Sequence, residues 1–298
     1  MLLAGGTGGA ALAAGIHAVA PDVELTVIAN TADDDEFWGM LVCPDIDAVI
    51  YRLAGVFNGA AGYGIAGDTF HVLDMLQKIG APTWFRLGDR DIATHLVRGD
   101  VVRAGGTLTD ATLELCRRFG LRARVLPMCD EPVRTRFSTD GGALSFQEYF
   151  VRERLQPRLK GISFEGVDRA VPTASVEAAL ADADLVVIGP SNPLISIRPI
   201  LEVAGRLVPR ERTVAVSPIV GGVALKGPTV EMMRAFGYEA SVLAVARMYR
   251  DVANGFVLDE RDRASAPAVE KLGYRTLVCD TVMTDGGRGL AGSVLGYV

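Results

Sequence analysis

The sequence predicts an α/β protein built on a doubly wound, mostly parallel sheet. Short, continuous apolar runs alternate with helical patterns along the chain, as strands buried on both faces require. Polar clusters also follow those runs directly, at the strand ends where open α/β sheets bind ligands. A third sign lies at the start, where apolar Met1-Leu2-Leu3 runs into Gly5-Gly6-Thr7-Gly8-Gly9 and then an Ala- and Leu-rich stretch to Val19. That is a strand, a glycine turn and a helix N-terminus. Close backbone approach, exposed N–H groups and the helix dipole suit such a turn to phosphate.

The elements follow in order. The first strand is very short, as a short central strand would be, or as a start placed late would leave it. Further strands are expected at Leu25–Ala29, Arg124–Met128, Leu185–Ile188, Thr213–Val216, Gly255–Leu258 and Thr276–Cys279. Helical patterns cover Asp68–Ile79, Thr109–Phe119, Val176–Ala181, Arg198–Val203, Val242–Asp251 and Ala268–Leu272. Residues 130–170 break the alternation. Pro132–Thr139, Ala143–Gln147 and Ile162–Asp168 read as short alternating strands around the turn Asp140-Gly141-Gly142. We expect a small inserted antiparallel section with some helix, a lid or a dimer surface, within one domain spanning 1–298. The Gly-rich stretch Gly55 to Gly67 reads as a mobile surface loop beside the site.

Composition narrows the function. At 298 residues the chain can bury a full core, and 49% of it is apolar. A net charge of −6 argues against nucleic acid as a partner, so an anionic ligand must be held by local features. Cys43, Cys116, Cys129 and Cys279 have neither metal-ligand nor redox spacing and read as buried thiols of a reducing cytoplasm. No apolar run is long enough for a membrane span, and the start lacks the basic region of a signal peptide.

Several clusters could carry chemistry. Gly6-x-Gly8-x-x-Ala11 fits a relaxed dinucleotide fingerprint, but the second strand ends in Asn30-Thr31 rather than the acid that would hold a ribose. No Gly-Lys-Ser/Thr follows the glycines, so a P-loop is excluded. A nicotinamide-dependent oxidoreductase is disfavoured by Asn30. The run Asp33-Asp34-Asp35-Glu36 before Phe37-Trp38 reads either as a solvated loop or as a metal or ribose contact beneath an aromatic wall. Pro44 suits a first helical turn, and Asp45 and Asp47 would favour its dipole. Both can meet one ligand only if Asp45 lies in the entering turn. In Trp84–His95, Arg86 stands beside aromatics without an adjacent acid and is the better anion contact; Arg90, between two aspartates, reads as an internal ion-pair node. His95 has no nucleophile partner and reads as packing. Gly189-Pro190-Ser191-Asn192-Pro193 after a strand could bind base or phosphate, or simply cap a helix.

Taken together and in order, these segments resemble the 2-phospho-L-lactate transferase family. The resemblance rests on Ala4-Gly5-Gly6-Thr7-Gly8-Gly9, Asn30-Thr31-Ala32-Asp33, Cys43-Pro44-Asp45-Ile46-Asp47 and Leu87-Gly88-Asp89-Arg90-Asp91-Ile92-Ala93-Thr94-His95. It continues through Leu126-Pro127-Met128, Ile188–Pro193, Val216-Ser217-Pro218-Ile219 and Asp259-Glu260-Arg261-Asp262-Arg263-Ala264. It implies a Rossmann-like fold, dimers and a role in coenzyme F420 biosynthesis. The implied reaction moves a 2-phospholactyl group, or its enolpyruvyl or glyceryl counterpart, from a GDP-linked donor such as lactyl-2-diphospho-5′-guanosine. The acceptor is the terminal ribityl hydroxyl of 7,8-didemethyl-8-hydroxy-5-deazariboflavin; coenzyme F420-0 forms, GMP leaves and Mg2+ is needed. By motif position, Asp47 and Arg86 would contact the deazaflavin and Asp45 would hold metal, with Asp45 and Asp47 the catalytic pair. Gly6, Thr7, Gly8, Gly9, Asn30, Ser191 and Asn192 would face the donor's diphosphate and guanosine. Asp34, Asp35 and Glu36 add acids that the family's common pattern lacks, so Asp33, Asp34 and Asp35 compete for its acidic position. The rival reading is a sister family of non-enzymatic nucleotide-sugar-binding regulators of gluconeogenesis and cell shape, which shares the opening loop.

Overall fold

The computed structural model describes residues 1–224 and 227–297. Seven parallel strands form its central sheet: β1 (Leu2–Ala4), β2 (Thr26–Ala29), β3 (Arg124–Pro127), β4 (Val186–Ile188), β5 (Thr213–Val216), β6 (Gly255–Asp259) and β7 (Arg275–Cys279). Their spatial order is β7-β6-β5-β4-β1-β2-β3, the order of a dinucleotide-binding sheet with one strand added. The switch point lies between β1 and β4, where Leu2 pairs with both Val27 and Val187. The fold is therefore the doubly wound α/β sheet that the apolar runs predict.

Alternation along each strand builds two cores. Leu3, Ile28, Leu126, Ile188 and Ala215 join one apolar layer, while Leu2, Val27, Val125, Val187 and Val214 join the other. Helices cover both faces, so every strand residue of β1 and β5 is buried.

Five α-helices precede β3: α1 (Gly6–Val19), α2 (Pro44–Leu53), α3 (His71–Lys78), α4 (Asp89–Arg103) and α5 (Leu108–Arg118). Pro44 opens α2 with Asp45 and Asp47 in the first turn. A capping box between Thr107 and Asp110 starts α5. The sequence patterns reached α3 and α5 but left α4 without bounds. Its charged residues fall on buried as well as exposed positions, which blurs the apolar stripe.

An antiparallel section follows β3. Arg134–Thr139 pairs with Gly142–Ser145 and with Leu159–Glu165, the register shifting between Ser138 and Thr139. It packs over the segment after β2, where Thr135 and Gln147 reach Asp33.

One expectation is corrected. The acidic run is not a solvated loop. Asp33 and Asp34 are buried in the turn leaving β2, and only Glu36 of the four is exposed. Asp35–Phe37 instead forms a hairpin with Met40–Val42 around Trp38 and Gly39, whose positive φ angles of 50° and 77° suit a tight two-residue turn.

Candidate active site

A cavity of about 310 Å³ opens beside the carboxyl end of β1. Its walls include Gly6 and Thr7 from the start of α1, Asp45 and Asp47 from α2, and Arg86 and His95 from the segment leading into and along α4. Trp84 and Phe85 add an aromatic side, and Phe85 stacks on Phe37 with ring centroids 3.8 Å apart. The Gly-rich loop folds back through an antiparallel bridge between Phe57 and Ile65 and brings Tyr63 to the rim.

The glycine turn is shaped as much by neighbours as by any ligand. Gly6 has φ +64°, a conformation that side chains rarely adopt. Its N–H donates to Asp45 Oδ1 at 2.6 Å, and Gly5 N–H donates to Ser191 Oγ at 3.3 Å. Asp45 thus sits where the α1 dipole favours an anion. Gly8 and Gly9 lie outside the cavity wall. A Cβ on Gly9 would meet Ala4 Cβ at 2.6 Å and Ser191 Oγ at 2.9 Å, and one on Gly8 would meet the Pro190 carbonyl at 2.5 Å. These two glycines let α1 close against β1 and the Pro190 loop.

Asn30 is wholly buried and bridges two acids. Its Nδ2 donates to Asp33 Oδ2 and to Asp45 Oδ2, both at 3.0 Å, while its Oδ1 accepts from Ala32 N–H. Burial raises both carboxyls: Asp45 to about 6, against the opposing hydrogen bonds of Asn30 and Gly6, and Asp33 well above its ordinary value, helped by the charge of Asp45. Asp34 is pushed up to about 8 by burial, and its Oδ1 has no partner. Three acids with raised pKa values are therefore packed beneath the glycine turn.

Asp47 belongs to a second, separate network. It pairs with Arg98, a side chain that is entirely buried. Arg98 Nη1 also contacts His95 Nδ1 at 3.0 Å and the Leu41 carbonyl at 3.2 Å. Tyr51 Oη donates to Asp91 Oδ1 at 2.6 Å. Asp47, Asp91 and His95 each bring a ligating atom within 4.8 Å of the others. Burial pushes Asp91 up to about 7 and the His95 imidazole down to about 4.

Sequence reasoning missed Tyr51, Asp91 and Arg98. The available signal was a polar stripe at helical spacing, Asp91, His95 and Arg98 on one helix facing Asp47 and Tyr51 on another. His95, expected to pack, does pack, but inside this ladder and against the cavity. Arg90 is also corrected. It is exposed and donates to the Ala66 carbonyl, because neighbours on a helix splay apart. Asp89 instead accepts from Thr69 Oγ1 and from His71 and Val72 N–H, holding the start of α3.

Other expected residues are placed as follows. Arg86 is exposed at the rim, its guanidinium 4.5 Å from the centre of the Phe70 ring. Asp47 and Arg86 share the one cavity with Gly6 and Thr7. Asn192 caps the turn Pro193–Ile197 by accepting from Leu194 N–H at 2.9 Å. Ser191 and Asn192 are not part of the cavity lining.

The 2-phospho-L-lactate transferase CofD family model matches residues 1–284. This chain belongs to that family. It is 39% identical over 286 residues to the 2-phospho-L-lactate transferase of Methanosarcina mazei, covering 95% of this chain and 94% of that protein. It is 41% identical over 295 residues to the phosphoenolpyruvate transferase of Streptomyces griseus, covering 96% and 93%. Its fold is similar to that of a UPF0052 family member from Bacillus halodurans, with a TM-score of 0.64 at 15% identity over 99% of this chain and 97% of that one. Transfer of a phosphorylated three-carbon group is thus the activity of the family, and relatives named for two different groups match almost equally well. No helix among the described residues is long and apolar enough to cross a membrane.

Proposed function

We propose that this transferase moves a 2-phospholactyl, phosphoenolpyruvyl or phosphoglyceryl group from a GDP-linked donor to the ribityl hydroxyl of 7,8-didemethyl-8-hydroxy-5-deazariboflavin. The observation that carries this reading is the joint placement of Asp47, Arg86 and the α1 turn around one cavity of about 310 Å³. A flat tricyclic acceptor suits the aromatic lining of Trp84 and Phe85, and Gly6 and Thr7 bring a helix N-terminus that favours an anion to the same cavity.

In the reaction, the ribityl oxygen attacks the phosphorus that bears the three-carbon group. A new P–O bond forms, the bond to the bridging oxygen breaks, and GMP leaves with that electron pair. Asp47 receives the hydroxyl proton and Arg86 holds the acceptor. Gly6 and Thr7 present the α1 N-terminus to the diphosphate, with Gly8, Gly9, Asn30, Ser191 and Asn192 behind them.

The buried acids fit a magnesium ion. Asp33 and Asp45 face each other across a single amide, and Asp34 Oδ1 is an orphaned oxygen in the same pocket of charge. All are oxygen donors, as magnesium prefers. Asp45 with Asp33 would hold it, and it would neutralise diphosphate charge that Asp45 otherwise repels. A homodimer of such subunits working in the cytoplasm completes the reading.

Incubating the protein with the deazaflavin, Mg2+ and each guanylylated donor, followed by mass spectrometry, tests it. The expected result is F420-0 or its enolpyruvyl or glyceryl counterpart, together with GMP. No product with any donor would overturn the enzyme reading and favour the non-enzymatic nucleotide-sugar-binding alternative.

A further inference from the structure

We propose that Arg98 is a positioning residue for the transfer: it grips Asp47 through Oδ1 and fixes the orientation of that carboxylate in the cavity wall. This inference rests on the functional reading above and adds a residue to it.

The geometry supports it in three ways. First, Arg98 is the largest wholly buried side chain among the described residues, and it ties together three elements that border the cavity. Its partners are Asp47 on α2, His95 on its own helix α4, and the Leu41 carbonyl in the strand Met40–Val42. A buried guanidinium needs such compensation, because desolvation of the charge is costly. Second, the grip is one-sided. Nη2 takes Asp47 Oδ1, while Nη1 turns away to His95 and Leu41 rather than to the second carboxylate oxygen. Asp47 Oδ2 is left buried with no hydrogen-bond partner. A purely structural Arg–carboxylate pair would gain by a bidentate fork.

Third, hydrogen counting keeps Oδ2 free. Arginine has only donors, so His95 Nδ1 must accept and the imidazole proton must sit on Nε2. His95 Nδ1 lies 3.7 Å from Asp47 Oδ2 and has no hydrogen to give it. The proton on Nε2 faces Asp91 Oδ1 at 3.5 Å. The lowered pKa of His95 agrees with this neutral form. Asp47, Asp91 and His95 could in principle ligate a cation, yet Arg98 already brings a positive charge into contact with two of them. The guanidinium takes the place a metal would have.

The test is a double-mutant cycle on the full-length protein with R98M, D47N and the double variant, measured by steady-state transfer with the donor that the wild type uses. R98M is expected to lower kcat about 100-fold with the donor KM within about threefold, since a misplaced reacting group costs that much. Adding R98M to D47N is expected to cost less than about threefold more, because Arg98 acts through Asp47. A residue needed only for folding would multiply the two losses. R98K, which keeps the charge but cannot reach His95 and Asp47 together, covers the case in which R98M fails to fold; about tenfold lower kcat with an unchanged donor KM is expected. Wild-type turnover in R98M or R98K, or full multiplication in the cycle, would overturn the inference alone. A wild type that turns over no donor would overturn it together with the functional reading.

Discussion

Asp47 and Asp45 stand two positions apart on α2 and do different work. Asp47 faces α4 and Arg98, while Asp45 faces the α1 turn and Asn30. Replacing Asp47 by Asn should lower transfer about 100-fold or more in a folded protein, as loss of one transition-state contact does; near-normal kcat would remove it from the site. Asp34 supplies a prediction about pH. Burial lifts its folded pKa from 3.8 to about 8, so the folded state keeps a proton that the unfolded chain has already lost. Its contribution to stability is full below the unfolded value of 3.8 and is lost as pH rises toward about 8. Thermal unfolding of Asp34→Asn in EDTA should therefore fall less steeply over that range than wild type. A variant with the wild-type pH slope would show that Asp34 is ionised when folded. None of this was visible in the acidic run itself, because four acids in a row carry no mark of which are covered.

At the scale of elements, α1 is held by close backbone approach. Gly15 packs on the carbonyl of Gly287 in the turn before the helix Arg288–Leu295, and a Cβ there would overlap that backbone oxygen. Helix propensity alone would make Gly15→Ala stabilising by about 1 kcal/mol. The contact reverses the sign, and a loss of about 1–3 kcal/mol is expected in denaturant unfolding. Equal or higher stability would mean that the terminal helix yields without cost. Helices α2 and α4 tell a related story. Their facing polar residues form the Asp47–Arg98 ladder, which a search for apolar stripes passes over.

For the molecule as a whole, the sheet order places the α1 turn at the switch point, and the segments between β2 and β3 supply most of the other cavity-lining residues. Magnesium should bind the folded protein at Asp45 and raise its melting temperature, as any ligand of the native state does, by about 2.7 kcal/mol of stability at a hundred times its Kd. The shift should vanish in Asp45→Asn, and EDTA should abolish turnover. An equal shift in wild type and Asp45→Asn would place the ion elsewhere.

The alternation of buried strands and helices, the glycine turn and the family motifs were all legible in the sequence, because each is a local pattern of spacing and residue type. Strands β5 and β6 were placed to within a residue for this reason. The partners of the charged groups were not local. That Asn30 reaches Asp45, that Arg98 is entombed against Asp47, and that Arg90 turns to Ala66 depend on residues 15 to 51 positions apart being brought within hydrogen-bond distance. The opening glycines show the division most simply. Sequence marked them as a phosphate turn, while packing assigned Gly8 and Gly9 to the closure of α1 on its neighbours and left Gly6 and Thr7 to face the cavity. Spacing along a chain is a property of the chain, whereas burial and charge pairing belong to the space between its elements.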